Sequence, residues 1–276
     1  MSDRLFNRAV RVSVDDIEVT QLRVQLKIKK TLGKEPNTCE LAIFNLASST
    51  RAGMQKRGAA VIVEAGYTDT LSQVFSGDAR TIDHVQQGAD WVTKVQCGDG
   101  ERAYRHAQLW ESFRPGTTVA DVADRVIRAM GLDGSRAIKF LRENVREQFT
   151  QGFCASGRAS AELDRLVRAC GMEWSIQDGA VQILKRGATT STQILELAPD
   201  TGLIGSPEHG SPGQEPKQDK SRILKVKSLL QPQMRPGGQL RVKAEGVEGT
   251  YRIQLVTHSG DTHGGEWFSE AECLPI

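Results

Sequence analysis

Between residues 22 and 28 apolar and polar side chains alternate one for one: Leu22, Val24, Leu26 and Ile28 against Arg23, Gln25 and Lys27. Successive side chains of a strand point to opposite faces, so this pattern buries one face of a sheet and turns a polar face to solvent or to a partner. The same period returns at Cys39, Leu41 and Ile43, and apolar runs follow at Val61-Ile62-Val63, Val74-Phe75 and Trp91-Val92 with Val95. Between them lie stretches such as Gly33-Lys34-Glu35-Pro36-Asn37 and Gly66-Tyr67-Thr68-Asp69, rich in residues that supply turn dihedrals. Many short strands with few helical stretches indicate a barrel or a sandwich. Only Ala47 to Met54 offers a helical turn among them.

The period changes after about Arg105. Thr117-Thr118 precedes Val119, Val122, Ala123, Val126, Ile127 and Met130, which share one helix face, and Gly131 is a natural stop. A second helix follows Ser160, with Leu163, Leu166, Val167 and Cys170 inward and Gly171 past its end. Residues 172 to 177 and 180 to 184 flank Asp178-Gly179, a pair suited to a tight hairpin turn in which both central residues need positive φ. Residues 199 to 221 are dense in Pro, Gly, Ser and charge and read as an exposed loop. Strand patterns resume at Ile223 to Lys227, Gln239 to Val242, Tyr251 to Val256 and Glu266 to Phe268. The order is β, then α+β, then β, which divides the chain into residues 1–105, 106–188 and 189–276.

With 276 residues, two or three domains are the expectation. Charged residues at 25%, hydrophobic ones at 38% and a net charge of +2 describe a globular chain with no overall electrostatic bias toward nucleic acid or membranes. No stretch approaches the roughly 18 apolar residues of a membrane span, and the opening MSDRLFNRAV lacks the apolar core of an export signal. No membrane insertion is expected. The five cysteines are odd in number, scattered and never in a C-x-x-C pair, as for reduced, buried thiols. Sequence leaves a bridge between Cys154 and Cys170 open.

Residues that could carry chemistry have simpler explanations. His258, Asp261, His263 and Glu266 gather two imidazoles and two carboxylates, but a metal would need them to converge, and a long glycine-rich hairpin loop accounts for them. Gly98-Asp99-Gly100-Glu101 lacks the lysine of a phosphate loop and the spaced ligands of a calcium loop, so a turn closing the first β region is expected. Cys154-Ala-Ser156-Gly157 is not a nucleophile elbow. His84, His106 and His209 are isolated. Lys27, Lys29, Lys30, Lys225, Lys227, Arg125 and Arg128 are not interleaved with aromatics and read as solvated faces. No catalytic, cofactor or metal residue is assigned.

The order of several segments resembles one family. TLGKEPNTCELAIFNL from Thr31 to Leu46, then Val63 to Tyr67, Val74 to Asp78, Ala89 to Trp91 and Gly98 to Glu101, are similar to the opening of baseplate hub proteins of tailed phages and prophages. Phe113 to Thr117, Gly202 to Gly205, Leu229 to Pro232, Arg235 to Gly237, Gly249 to Arg252, Val256 to Asp261 and Glu266-Trp267 continue the likeness to the C-terminus. The family is related more distantly to late control protein D and to the hub-like part of type VI secretion spikes. The resemblance implies a mainly β fold with α+β, in which two tail-tube-like β-barrel domains flank a small α+β middle domain. It implies a homotrimer whose six barrels form a ring between the hexameric tube and the central spike, around a channel for tape-measure protein and DNA. The partners implied are a tail tube or distal tail protein, the spike, the tape-measure protein and DNA in transit. The location implied is the virion tail baseplate, assembled in the bacterial cytoplasm. On this reading residues 199 to 221 are a connector, the protein is not an enzyme, and the ring contacts fall on strands carrying Leu22, Val24, Leu26, Ile28, Tyr251, Ile253 and Leu255.

Two other readings stay open on sequence. One is a tail-associated cell-wall hydrolase using His263 or Glu266. The other is a monomeric β-rich host-surface binding module that would display Trp91, Trp174 and Trp267.

Overall fold

A computed structural model of the chain describes residues 7–54, 58–190, 194–210 and 223–276. The chain is mainly β with an α+β portion, and it divides into two compact units. The first unit comprises Met1–Thr31, Thr38–Gly98 and Thr189–Ile276; the second comprises Leu32–Asn37 and Asp99–Ala188.

In the first unit the N-terminal part contributes β1 (Arg8–Val14), β2 (Ile17–Val19), β3 (Val24–Thr31), β4 (Thr38–Phe44), the short helix α1 (Ser48–Gly53), β5 (Ala60–Tyr67), β6 (Ser72–Gln87) and β7 (Asp90–Gly98). The second unit holds α2 (Glu101–His106), β8 (Gln108–Phe113), α3 (Val119–Met130), α4 (Ser135–Asn144), β9 (Phe153–Arg158), α5 (Ala159–Ala169), β10 (Met172–Gln177) and β11 (Ala180–Lys185). The chain then returns to the first unit with β12 (Leu195–Leu197), β13 (Glu208–Gly210), β14 (Ile223–Leu229), β15 (Gln239–Ala244), β16 (Val247–Asp261) and β17 (Trp267–Pro275).

One sheet runs through the whole first unit in the order β13-β14-β17-β16-β3-β4-β7-β6-β5-β1-β2, with β15 beside the first half of β16 and β12 beside β15. The join between chain ends is antiparallel pairing of β16 with β3, from Leu255 opposite Thr31 to Asp261 opposite Gln25. Two apolar clusters lie under this sheet. The N-terminal one gathers Val12, Ile28, Leu41, Ile43, Val63 and Phe75 with Leu230 and Trp267. The C-terminal one gathers Leu197, Leu224, Leu240, Val242, Ile253 and Val256. Two separate cores in one sheet follow from the alternation: each half has its own buried stripe, and β3 and β16 supply the backbone edges that join them.

The second unit is built around α3. Its inward residues Val119, Val122, Ala123, Val126, Ile127 and Met130 are all buried, Thr118 Oγ1 accepts the Asp121 amide at 3.1 Å as N-cap, and Gly131 ends the helix at φ 71°. Leu163, Leu166 and Val167 of α5 pack with them, as does the partly buried Cys170. The hairpin turn has φ of 55° at Asp178 and 80° at Gly179. Its amides are held from below: the buried Asp99 carboxylate accepts from Asp178 N at 2.7 Å and Gly179 N at 2.8 Å, and Asn37 Nδ2 donates to Asp99 at 3.1 Å and to Ile176 O at 2.8 Å. The segment expected only to close the first β region thus starts α2 and braces a distant turn. The loop expected over residues 199 to 221 begins with a 3-10 turn at Pro199–Thr201 and includes β13, while residues 211 to 221 lie outside the described residues. No helix among the described residues is long and apolar enough to cross a membrane.

Candidate functional site: the polar face of the shared sheet

Alternation along β3 buries Val24, Leu26 and Ile28 and leaves Gln25, Lys27 and Lys29 on the opposite face. Neighbouring strands carry that face across the sheet. Lys27 stands opposite Glu40, which stands opposite Gln96; Gln25 stands opposite Ala42, Ala42 opposite Lys94, and Lys94 opposite Asp83. On the other side Thr257 and Ser259 of β16 align with Lys29 and Lys27, and Lys225 and Lys227 of β14 pair with Glu272 and Glu270 of β17 at 3.4 and 3.0 Å. Lys227 Nζ also lies 3.6 Å from the centre of the Phe268 ring. Opposite charges directly across strands stabilise the ladder and cancel one another. The face is polar without being basic. An open groove of about 600 Å³ crosses it, lined by Gln25, Lys27, Glu40, Lys94, Gln96 and Glu266 among others.

Asp261 anchors the end of this face. Its carboxylate accepts from Arg23 Nη2 at 2.7 Å, Arg23 Nε at 3.2 Å, Gln25 Nε2 at 2.9 Å and the His263 amide at 2.9 Å. The bonds from Arg23 come first in holding the Asp261 carboxyl well below the usual carboxylate range. Arg8 Nη1 donates to Asp261 O at 3.0 Å and to Gly264 O, and its guanidinium lies 5.6 Å from the Trp267 ring centre. The turn between β16 and β17 is thereby fastened by two arginines from the other end of the chain.

The face ends in an open backbone edge. β5 pairs with β6 only from Ser72 to Asp78, so among the described residues nothing pairs with the outer edge of Thr81 to Gln87. Asn45 N donates to Trp91 O at 2.7 Å, which turns Trp91 toward β4 and makes Gln86 and Trp91 a non-hydrogen-bonded pair. By alternation Ile82, His84 and Gln86 direct their backbone groups outward.

The residues singled out by sequence fall as follows. Val24, Leu26, Ile28 and Ile253 are buried in the chain's own cores, and Leu22, Tyr251 and Leu255 are partly buried. Side chains filled by their own core are not free to touch another subunit, so contacts made by these strands would use the alternate residues or the backbone edges. His258 to Glu266 is a correction: it is not a long loop, because β16 runs through Asp261 and only residues 262 to 266 turn. His258 is buried with Nδ1 2.8 Å from Ser269 Oγ, and desolvation followed by the Lys30 charge lowers its pKa to about 3; His263 is exposed. The two imidazoles do not meet, and among the described residues no three His, Cys, Asp or Glu side chains form a metal-holding group. Lys30 corrects the solvated basic face: it is fully buried, with Nζ 3.3 Å from Val74 O. Trp174 and Trp267 are buried, against the display that a binding module would need, whereas Trp91 is 37% exposed under the Arg51 guanidinium. Cys154 and Cys170 are both free thiols. Burial raises Cys39 well above the ordinary thiol range and takes Cys273 to about 12, which makes both inert. The pairing of Arg23 with Asp261, 238 residues apart, was not legible in the sequence, because the residues around Asp261 point to its local neighbours His258, His263 and Glu266 and nothing in them names a distant arginine.

A family model described as baseplate hub gp41 matches residues 8–273. Among solved structures, the 43 kDa tail protein of prophage MuSo2 from Shewanella oneidensis is similar, with a TM-score of 0.69 at 13% identity, covering 98% of each chain. A tail protein from Neisseria meningitidis MC58 gives a TM-score of 0.65 at 11% identity, over 98% of this chain and 97% of that one. An Escherichia coli component of the type VI secretion system, itself noted for similarity to the T4 bacteriophage tail proteins gp27 and gp5, gives 0.59 at 12% identity over 96% of this chain and 76% of that one. These likenesses establish a shared fold. No curated protein sequence matches the chain.

Proposed function

The chain belongs to the baseplate hub gp41 family and so has a structural role in a phage tail baseplate, and from that premise we propose that it closes a trimeric ring between tail tube and central spike. In this reading residues 1–105 and 189–276 are two tube-like barrels and residues 106–188 are a middle domain. Three copies supply six barrels, which matches a sixfold tube above to a threefold spike below. The observation that carries the reading is the single sheet spanning two separate apolar cores, which supports reading its two halves as two barrels. A heterologous contact repeated by threefold rotation closes without leaving an edge. The open edge of β6 is suited to such a contact.

The polar face is suited to line the channel. Basic surfaces hold nucleic acid by releasing counterions, so a face on which Lys27, Lys94, Lys225 and Lys227 each stand opposite a carboxylate would let DNA pass without retaining it. Tape-measure protein would occupy the same channel before DNA. The hub acts through geometry, and no residue has a catalytic role in this reading.

The test is the native mass of the purified protein by light scattering, alone and with tube and spike proteins, followed by imaging. A species of three times 30.3 kDa with six densities around a central hole is expected. A chain that stays monomeric even with both partners would overturn the ring.

A further inference from the structure

The second unit carries a strand edge that its own fold leaves open. β8 and β9 form a two-stranded ribbon in which Gln108 stands opposite Arg158, Trp110 opposite Ser156 and Ser112 opposite Cys154. Ala159 N donates to Ala107 O at 2.9 Å, so the pair just before this register is hydrogen-bonded. Alternation then makes the pairs at Leu109, Glu111 and Phe113 the bonded ones and turns the backbone of Gln108, Trp110 and Ser112 away from β9. The outer edge of β9 is occupied: Cys154 O accepts from Arg165 Nη2 at 3.0 Å and Ser156 N donates to Glu162 Oε1 at 3.4 Å, both from α5. The outer edge of β8 has no such cover. Among the described residues nothing bonds the outward backbone groups of Gln108, Trp110 and Ser112.

The side chains beside that edge are equally unspent. Trp110 is 67% exposed, the most exposed large apolar side chain of the described residues. Its cross-strand neighbour is Ser156, too small to cover an indole. Arg158 lies at one end of the ribbon and Arg114 just past the other, both exposed and neither ion-paired among the described residues. The nearby carboxylates are already taken, Glu111 by Arg125 at 2.9 Å and Glu162 by Arg165 at 2.6 Å. The charge left over is positive at both ends of an open edge with an aromatic platform in the middle.

The geometry points to the free edge of β8 as a β-augmentation site for an extended acidic segment of a partner protein. Main-chain bonds to Gln108, Trp110 and Ser112 would hold about six residues of the segment, the indole would cover one of its apolar side chains, and carboxylates would meet Arg114 and Arg158. The site is independent of the ring proposed above.

The probe is a fluorescein-labelled octapeptide of alternating Glu and Val, compared by anisotropy with its Lys and Val counterpart, using the full chain at low salt. The acidic peptide is expected to bind at least tenfold more tightly than the basic one, to weaken as salt rises, and to slow amide exchange over residues 108 to 112. Trp110→Ala and Ser112→Pro are each expected to weaken binding at least tenfold. The proline removes an amide that faces away from β9, so the ribbon ladder is kept, and an unchanged melting curve checks this. Equal binding of the two peptides, or variants that bind like the parent, would overturn the proposal. Self-association abolished by Ser112→Pro with no peptide binding would overturn it too, by assigning the edge to a second copy.

Discussion

Single side chains decide how firmly the two ends of the chain are joined. Asp261 collects the Arg23 fork, Gln25 and the His263 amide, so Asp261→Asn should lower stability by about 1–2 kcal/mol, discounted for the partial exposure of Arg23, as measured by urea unfolding. Its depressed pKa sets the pH sense: the carboxylate contributes fully above the unfolded value near 4, and the contribution is lost as pH falls below it. His258 acts in the same direction at higher pH. Buried beside Lys30, and within the field of Arg235, it stays neutral in the fold down to about 3, whereas the unfolded imidazole takes a proton near 6.5. Stability should therefore fall by up to about 1.4 kcal/mol per pH unit as pH drops below 6.5. His258→Gln should be less stable at neutral pH yet show a shallower slope between pH 6.5 and 4.5, and an unchanged slope would exclude this source.

The element with most left undone is the far half of β6. A long unpaired edge is a hazard unless something covers it, and Ile82, His84 and Gln86 direct their backbone groups toward whatever does. Proline at an outward position removes one donor and keeps the pairing with β7. For the ring proposed above, His84→Pro and Gln86→Pro should leave the monomer's circular dichroism unchanged while shifting the light-scattering mass from the proposed trimer to monomer. Variants that form rings as well as the parent would move the subunit contact to another strand. Legibility differs between elements for the same reason. Helix α3 and the Asp178-Gly179 hairpin could be read because cap, stripe and turn residues lie within one local window. Helix α4 could not, since only Ala137, Ile138 and Leu141 are buried among charged neighbours.

For the whole molecule, the balanced sheet face makes a prediction about cargo. Glu40→Lys combined with Asp83→Lys and Glu270→Lys would leave Lys27, Lys94 and Lys227 without their opposite charges. In the proposed ring, with this face lining the channel, the variant should retain duplex DNA with a steep salt dependence in a filter-binding assay, where the parent retains little. Equal retention by both would remove the face from the channel. The mainly β character, the apolar stripe of α3 and the alternating faces of strands such as β4 and the first part of β3 are legible in the sequence, because side-chain period is a local property of the backbone. The three-dimensional fold alone sets that β3 pairs with β16, that Lys30 and His258 lie inside, that Arg23 meets Asp261, and that among the described residues nothing pairs with the outer edges of β8 and the far half of β6. Those outcomes depend on which strands become neighbours, and pairing between segments more than two hundred residues apart is chosen by the packing of the whole sheet rather than by any window of sequence.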